Sequence, residues 1–200
     1  MRHRSTRRTP PTTTPHRRRD RGTVLVEAAL IMPVLIMLAM GTIEFGMAWR
    51  DRLSVQNATR AGARAGATLS TDAQSDYNIL QSVKSGLGTK FTSASMIIVY
   101  KASAADGSVP SACLASGSQS GVCNVYATAD LSASSGSFGC GAGAKDTSWC
   151  PTSRNADMLS TNGPDYVGVY VTFAHGMITG SFGNGNLTIK DSSVMRLDPQ

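Results

Sequence analysis

The sequence predicts an α+β fold: a long amino-terminal transmembrane helix that continues into a small extracytoplasmic head with a short antiparallel sheet. Three observations carry this reading. Residues 23–49 form an apolar run whose only ionisable members are Glu27 and Glu44. Residues 50–69, "RDRLSVQNATRAGARAGATL", turn polar but contain nothing that breaks a helix. Near the other end, "DYVGVYVTFAH" alternates Val167, Val169, Val171 and Phe173 with Gly168, Tyr170, Thr172 and Ala174, the period of a strand.

The apolar run is long enough to cross a bilayer. Its 27 residues extend roughly 40 Å as a helix, against about 30 Å of hydrocarbon. The 16 uncharged residues between the two glutamates cover about 24 Å, so each acid falls near an interface, where a charge is less costly. Glu44 is expected near the outer end, within reach of headgroups or water. Pro33 removes one intrahelical hydrogen bond and predicts a bend. Trp49 suits an interfacial anchor. A cleaved secretory signal is the competing reading, but its apolar core would be about 7 to 15 residues.

The charge is unevenly placed. The formal net charge is +6, yet residues 1–21 hold eight arginines against one acid. The remainder has eleven Lys and Arg against twelve Asp and Glu, a net −1. This excludes a basic nucleic-acid-binding face on the folded part, and no nucleic-acid partner is expected. Residues 1–22 are rich in Arg, Pro and Thr and predict a disordered leader. Basic residues before the span and a neutral chain after it predict a single-pass protein of the cytoplasmic membrane, amino terminus inside and head outside.

Beyond the span, residues 50–69 continue the helix and residues 70–200 form the head. Ala58, Gly62 and Gly66 recur every four residues, as do Ala61 and Ala65, giving a side of little bulk that allows close helix packing. A second helix is expected around Ile79, Val83 and Leu87, with Asp72 or Ser75 as cap and Gly86 and Gly88 as stop. "SMIIVYKA" and "VCNVYATA" read as short strands, and "LTIKDSSVMRL" as a last strand antiparallel to "DYVGVYVTFAH" across a Gly/Asn-rich turn. Cys113 and Cys123, then Cys140 and Cys150, stand at equal separations of ten. Outside the cytoplasm these read as two local disulfides, since zinc sites favour shorter Cys-x2–4-Cys pairs.

Catalytic signals are scarce. "GSQSG" places Gln119 where a nucleophilic serine would stand, and "GLGTK" lacks the spacing of a phosphate-binding loop. His175, the one histidine beyond the tail, is expected to face solvent or cap a turn. An anchored enzyme would need it beside a nucleophile such as a serine of the 132–137 run. No enzyme activity, cofactor or metal is expected. The two glutamates lie roughly 100° apart around the helix and ~25 Å apart along it, so they do not form one site. Glu27, about one turn inside the inner boundary, requires a positive partner or a proton.

The stretch "RRRDRGTVLVEAALIMPVLIMLAMGTIEFGMAWRDRLSVQNATRAGARAGA" resembles the amino-terminal region of TadE-like proteins, pseudopilins of tight-adherence (Flp-type, type IVc) pilus systems. The shared features are a basic leader, Arg21-Gly22, Glu27, Ala29-Leu30, Pro33, Glu44-Phe45-Gly46, and Gln56-Asn57-Ala58 followed by Arg60-Ala61-Gly62-Ala63-Arg64. They span roughly residues 18–68, about a quarter of the chain. The resemblance implies a prepilin peptidase cutting between Gly22 and Thr23, which makes Glu27 the fifth mature residue. The new Thr23 ammonium would meet Glu27 of a neighbouring subunit, an ion pair in a low-dielectric setting. One departure is that an aromatic commonly follows this glutamate, whereas Ala28 stands here.

The implied function is a membrane-anchored pseudopilin, or minor pilin, in assembly of a tight-adherence pilus or related secretion structure. Its implied partners are other TadE/TadG-like pseudopilins, the major Flp-type pilin, the inner-membrane pilus platform and the prepilin peptidase. The alternative is a membrane-anchored, disulfide-stabilised adhesin or binding module independent of any pilus. That alternative predicts an intact amino terminus and no dependence on Glu27.

Overall fold

The computed structural model describes residues 20–177 and 185–199. Most of the expected disordered leader and the centre of the Gly/Asn-rich turn lie outside the described residues. The fold is α+β, with a long apolar helix and a head built on a four-stranded antiparallel sheet. Two compact units divide between Ile43 and Glu44.

Helix α1 spans Asp20–Leu69, with Pro33 in its interior. Among the described residues of the first unit its side chains cover no core: Leu25, Leu30 and Met37 are each about 70% exposed. Nothing but a non-aqueous surrounding makes such a surface favourable, and this helix is long and apolar enough to cross a membrane.

The head begins with the last turns of α1 and continues through α2 (Ser75–Leu87), β1 (Ala94–Ala102), α3 (Ser111–Ser116), β2 (Cys123–Tyr126), β3 (Tyr166–Gly176) and β4 (Asn186–Arg196). The sheet order is β2-β1-β3-β4, all antiparallel. Strands β3 and β4 pair along their whole length, from Tyr166 opposite Arg196 to Gly176 opposite Asn186. The alternation in β3 divides its side chains between two cores. Val167, Val169, Val171 and Phe173 join Ile79, Val83 and Val55 on the helix-covered face. Tyr170 packs on the opposite face with Ile98, Tyr100 and the Cys113–Cys123 pair. Gly168 is required there: a Cβ on it would fall 2.2 Å from the Tyr100 ring.

The small residues of α1 lie at its contact with α2 and β3. Ala58 is fully buried, and a Cβ on Gly86 of α2 would come within 2.6 Å of the Ala58 Cα. A Cβ on Gly62 would meet Val83 at 2.8 Å, and one on Gly66 would meet Ile79 at 2.8 Å. Ala61 is exposed, so the second small-residue register does not share this face. Gly86 therefore lies within α2 as a packing residue, while Gly88, with φ +61°, ends the helix. No side chain caps the start of α2, whose N-cap is Gln74; Asp72 instead accepts a bond from the Gln74 amide at 2.7 Å.

The end of the chain fastens the end of α1. Ser70 adopts a left-handed backbone (φ 50°) and its hydroxyl donates to the Asp198 carbonyl at 3.0 Å. The Asp198 amide returns a bond to the Ala67 carbonyl at 2.9 Å. The long segment between β1 and β3 is held by α3, short 3-10 turns and two disulfides, Cys113–Cys123 and Cys140–Cys150.

Between that segment and the start of α2 a fully buried polar network takes over from apolar packing. Arg154 donates to Asp76, with both side chains at 0% exposure. Asp76 also accepts from Asn124 Nδ2 at 2.8 Å and from the Tyr126 hydroxyl at 2.6 Å. The Arg154 guanidinium lies 4.1 Å over the Trp149 ring. Burial, reinforced by the neighbouring Asp76 carboxylate, pushes the Tyr126 phenol far above its ordinary range, so it stays a donor.

Candidate functional site: the anchor helix and the polar cluster at the start of the head

Two groups of residues stand out, one in each unit. In the first, Thr23, Val26, Glu27 and Leu30 border one shallow depression of the helix surface together with Gly22. The spacing i, i+3, i+4 and i+7 from Thr23 places them on one helical face. The Gly22–Thr23 bond lies three residues into α1, which begins at Asp20. Among the described residues a Cβ on Gly22 would meet nothing within 4 Å.

In the second unit, a cluster of charged side chains forms where α1 meets the sheet. Glu44 and Asp51 are seven residues apart on α1, two turns along the same face. Both are buried, at 7% and 4% exposure. Lys90, from the 3-10 turn Gly88–Ser93, places its ammonium 2.6 and 2.9 Å from the two Asp51 oxygens. His175, near the end of β3, places Nδ1 2.7 Å from Asp51 Oδ2 and Nε2 3.7 Å from Glu44 Oε1.

This arrangement corrects two expectations. Glu44 is turned into the head instead of toward headgroups, and His175 is 4% exposed instead of facing solvent. The pleat explains the second: His175 shares the inward phase of Val167, Val169, Val171 and Phe173. Position seven before Asp51 explains the first, because the face of α1 that carries Val55, Ala58 and Gly62 also carries both acids.

Burial alone raises the Asp51 carboxyl. Bonds from Lys90 and His175 outweigh it and hold the group below its ordinary value of 3.8. An ionised carboxylate only accepts, so His175 Nδ1 carries the shared proton. A lowered folded-state pKa means that the unfolded chain binds more protons in that range. The stabilisation is present above the ordinary carboxyl range and is lost as pH falls through the lowered value. Acid titration of folded full-length protein in detergent is expected to show a drop in stability below about pH 4. In Asp51→Asn that drop is expected to be shallower, and equal slopes would contradict the assignment.

An aspartate–histidine pair is half of a hydrolytic triad, but the other half is not assembled. Among the described residues no serine, threonine or cysteine hydrogen-bonds to His175, and Nε2 faces Glu44 instead. Ser132, in the serine run considered as a nucleophile source, accepts from Lys84 at 3.1 Å. The cluster clamps α1, the Gly88–Ser93 turn and β3 together. Asp51 and Lys90 carry no signal in the sequence, because "WRDR" and "GTKF" look like ordinary solvated charges.

Compared with known protein families, residues 22–64 match the model of the TadE-like protein family. This segment is TadE-like. The TadE-like segment takes in Gly22, Thr23 and Glu27 of the first group, Glu44 and Asp51 of the second, and the packing residues Ala58 and Gly62. The family is associated with pilus assembly and is a structural one. No curated protein and no solved structure matches the chain.

Proposed function

We propose that the chain is a membrane-anchored pseudopilin that helps assemble a tight-adherence (Flp-type) pilus or a related secretion structure, without catalytic activity. The TadE-like match over residues 22–64 carries this reading. The unpacked apolar surface of α1 supports it, because that surface is available to lipid or to the helices of other subunits. In this account a prepilin peptidase cuts after Gly22. The released Thr23 ammonium of one subunit then meets Glu27 of the next, which removes the cost of a lone carboxylate among apolar side chains. The head would stand outside the cytoplasmic membrane, where its two disulfides persist.

The partners follow from this role: other TadE/TadG-like pseudopilins, the major Flp-type pilin, the inner-membrane platform and the peptidase. Replacing Glu27 by Gln tests the ion pair while keeping the side chain's shape. Co-purification of the pilus proteins with Glu27→Gln is expected to fall several-fold, with the head still folded. Unchanged association would contradict the proposal.

A further inference from the structure

The two edges of the sheet are finished differently. Strand β2 forms one edge and is closed by its own chain. The Cys123 amide and carbonyl both bond to Gln119, at 3.0 Å each, and the Val125 amide donates to the Ser118 hydroxyl at 2.8 Å. Strand β4 forms the other edge and is open. It runs 11 residues in unbroken register with β3 and contains no proline. Among the described residues, no hydrogen bond outside the β3 ladder reaches the backbone of Asn186–Arg196. The amide and carbonyl of every second residue therefore point away from the sheet, a template for one more strand.

The side chains beside this edge define what such a strand would carry. On the α1 side of β4, where Ile189 and Met195 pack, lies a cleft of about 370 Å³. Phe45, Trp49 and Leu187 line it and remain 70%, 53% and 45% exposed. Lys190 and Arg196 share the other phase of the pleat with Val194, which packs in the opposite core. Both cations are exposed, and neither forms an ion pair among the described residues. One side of the edge is thus apolar and the other is positive.

We propose that β4 pairs with an extended, acidic segment of another protein. That strand places apolar side chains in the cleft beside Phe45 and Trp49, and carboxylates on the opposite face against Lys190 and Arg196. A second copy of this chain does not complete the edge. Helix α1 runs in the same direction as β4, from the cleft that Phe45 and Leu187 share to the bond between Ala67 and Asp198. A twofold axis that sets two β4 strands antiparallel therefore reverses α1, against the single orientation that one membrane imposes. A twofold along the strands keeps that orientation but sets each residue beside its own copy on the wrong face of the pleat. A copy turned about the α1 direction would offer β2, which is closed. The inference rests on α1 crossing a membrane and is independent of any pilus.

The probe is a fluorescent peptide of about ten residues, the length of a strand, that alternates valine and glutamate. Its valine–lysine counterpart and a valine–glutamate peptide interrupted by proline serve for comparison. Each is added to full-length protein in detergent, and anisotropy and backbone hydrogen exchange are measured. The valine–glutamate peptide is expected to slow exchange within Asn186–Arg196 and to leave β2 unchanged. It is expected to bind on the order of tenfold more tightly than the valine–lysine peptide. Lys190→Glu with Arg196→Glu is expected to reverse that order.

Unchanged exchange in β4 of the wild type would overturn the proposal, as would equal binding of the two charged peptides. Equal binding of the proline-interrupted peptide would indicate charge attraction without strand pairing and overturn it too. Slowing of β4 exchange that grows with protein concentration, without peptide, would indicate a second copy on the edge and overturn it as well.

Discussion

Asp76→Ala is expected to lower the stability of the head by about 3 to 5 kcal/mol, the cost of removing one partner from a buried ion pair. Arg154 would be left with its charge at 0% exposure. Asn124 Nδ2 and the Tyr126 hydroxyl would lose the acceptor that each now reaches within 2.8 Å. Asn124 also accepts from the Trp149 amide at 2.9 Å, so the defect passes into the loop that Cys140–Cys150 closes. Because the pair has already been desolvated, restoring apolar character should recover much of the loss. Asp76→Ala with Arg154→Met is expected to be more stable than Asp76→Ala alone. Denaturant unfolding of full-length protein in detergent, followed by Trp149 fluorescence, measures both. A loss under about 1 kcal/mol, or a double variant no better than the single, would contradict the assigned network.

Gly86→Ala is expected to destabilise by about 1 to 3 kcal/mol, an overpacking effect. Helix propensity by itself predicts the opposite, since alanine exceeds glycine by about 1 kcal/mol in a helix interior. The contact decides the sign. The new Cβ would lie 2.6 Å from the Ala58 Cα and 3.1 Å from the Ala58 amide nitrogen, and backbone cannot rotate away as a side-chain tip can. Relief therefore requires α1 and α2 to separate, which would loosen Val83 against Gly62 as well. Adding Ala58→Gly removes only the Ala58 Cβ, at 2.9 Å, and is expected to restore part of the loss. A higher unfolding midpoint for Gly86→Ala would show that the two helices do not approach this closely.

Periodicity made much of this fold legible. Strand β3 has an uninterrupted period of two, and the four residues assigned to one face do share one core. The cysteines were legible because equal short separations in glycine- and serine-rich sequence leave few pairings, and the structure joins Cys113 to Cys123 and Cys140 to Cys150. Residue types whose role depends on distant partners were not legible. Asp76 and Arg154 are 78 positions apart, one in a helix start and the other in a loop without pattern. Hydropathy alone puts Glu44 at the membrane boundary and ignores the seven-residue phase that aligns it with Asp51. The place of His175 at a strand end suggests exposure, although the pleat of its own strand assigns it to the buried face. The strand order β2-β1-β3-β4 also had no signal, because β1 and β3 are separated by a long irregular segment.

The central claim is that the carboxylate of Glu27 acts with an amino terminus created by cleavage between Gly22 and Thr23. Intact-mass analysis of the protein extracted from membranes of its native host tests this most directly. The account predicts a species that begins at Thr23. A full-length chain beginning at Met1, with no shorter form, would contradict it.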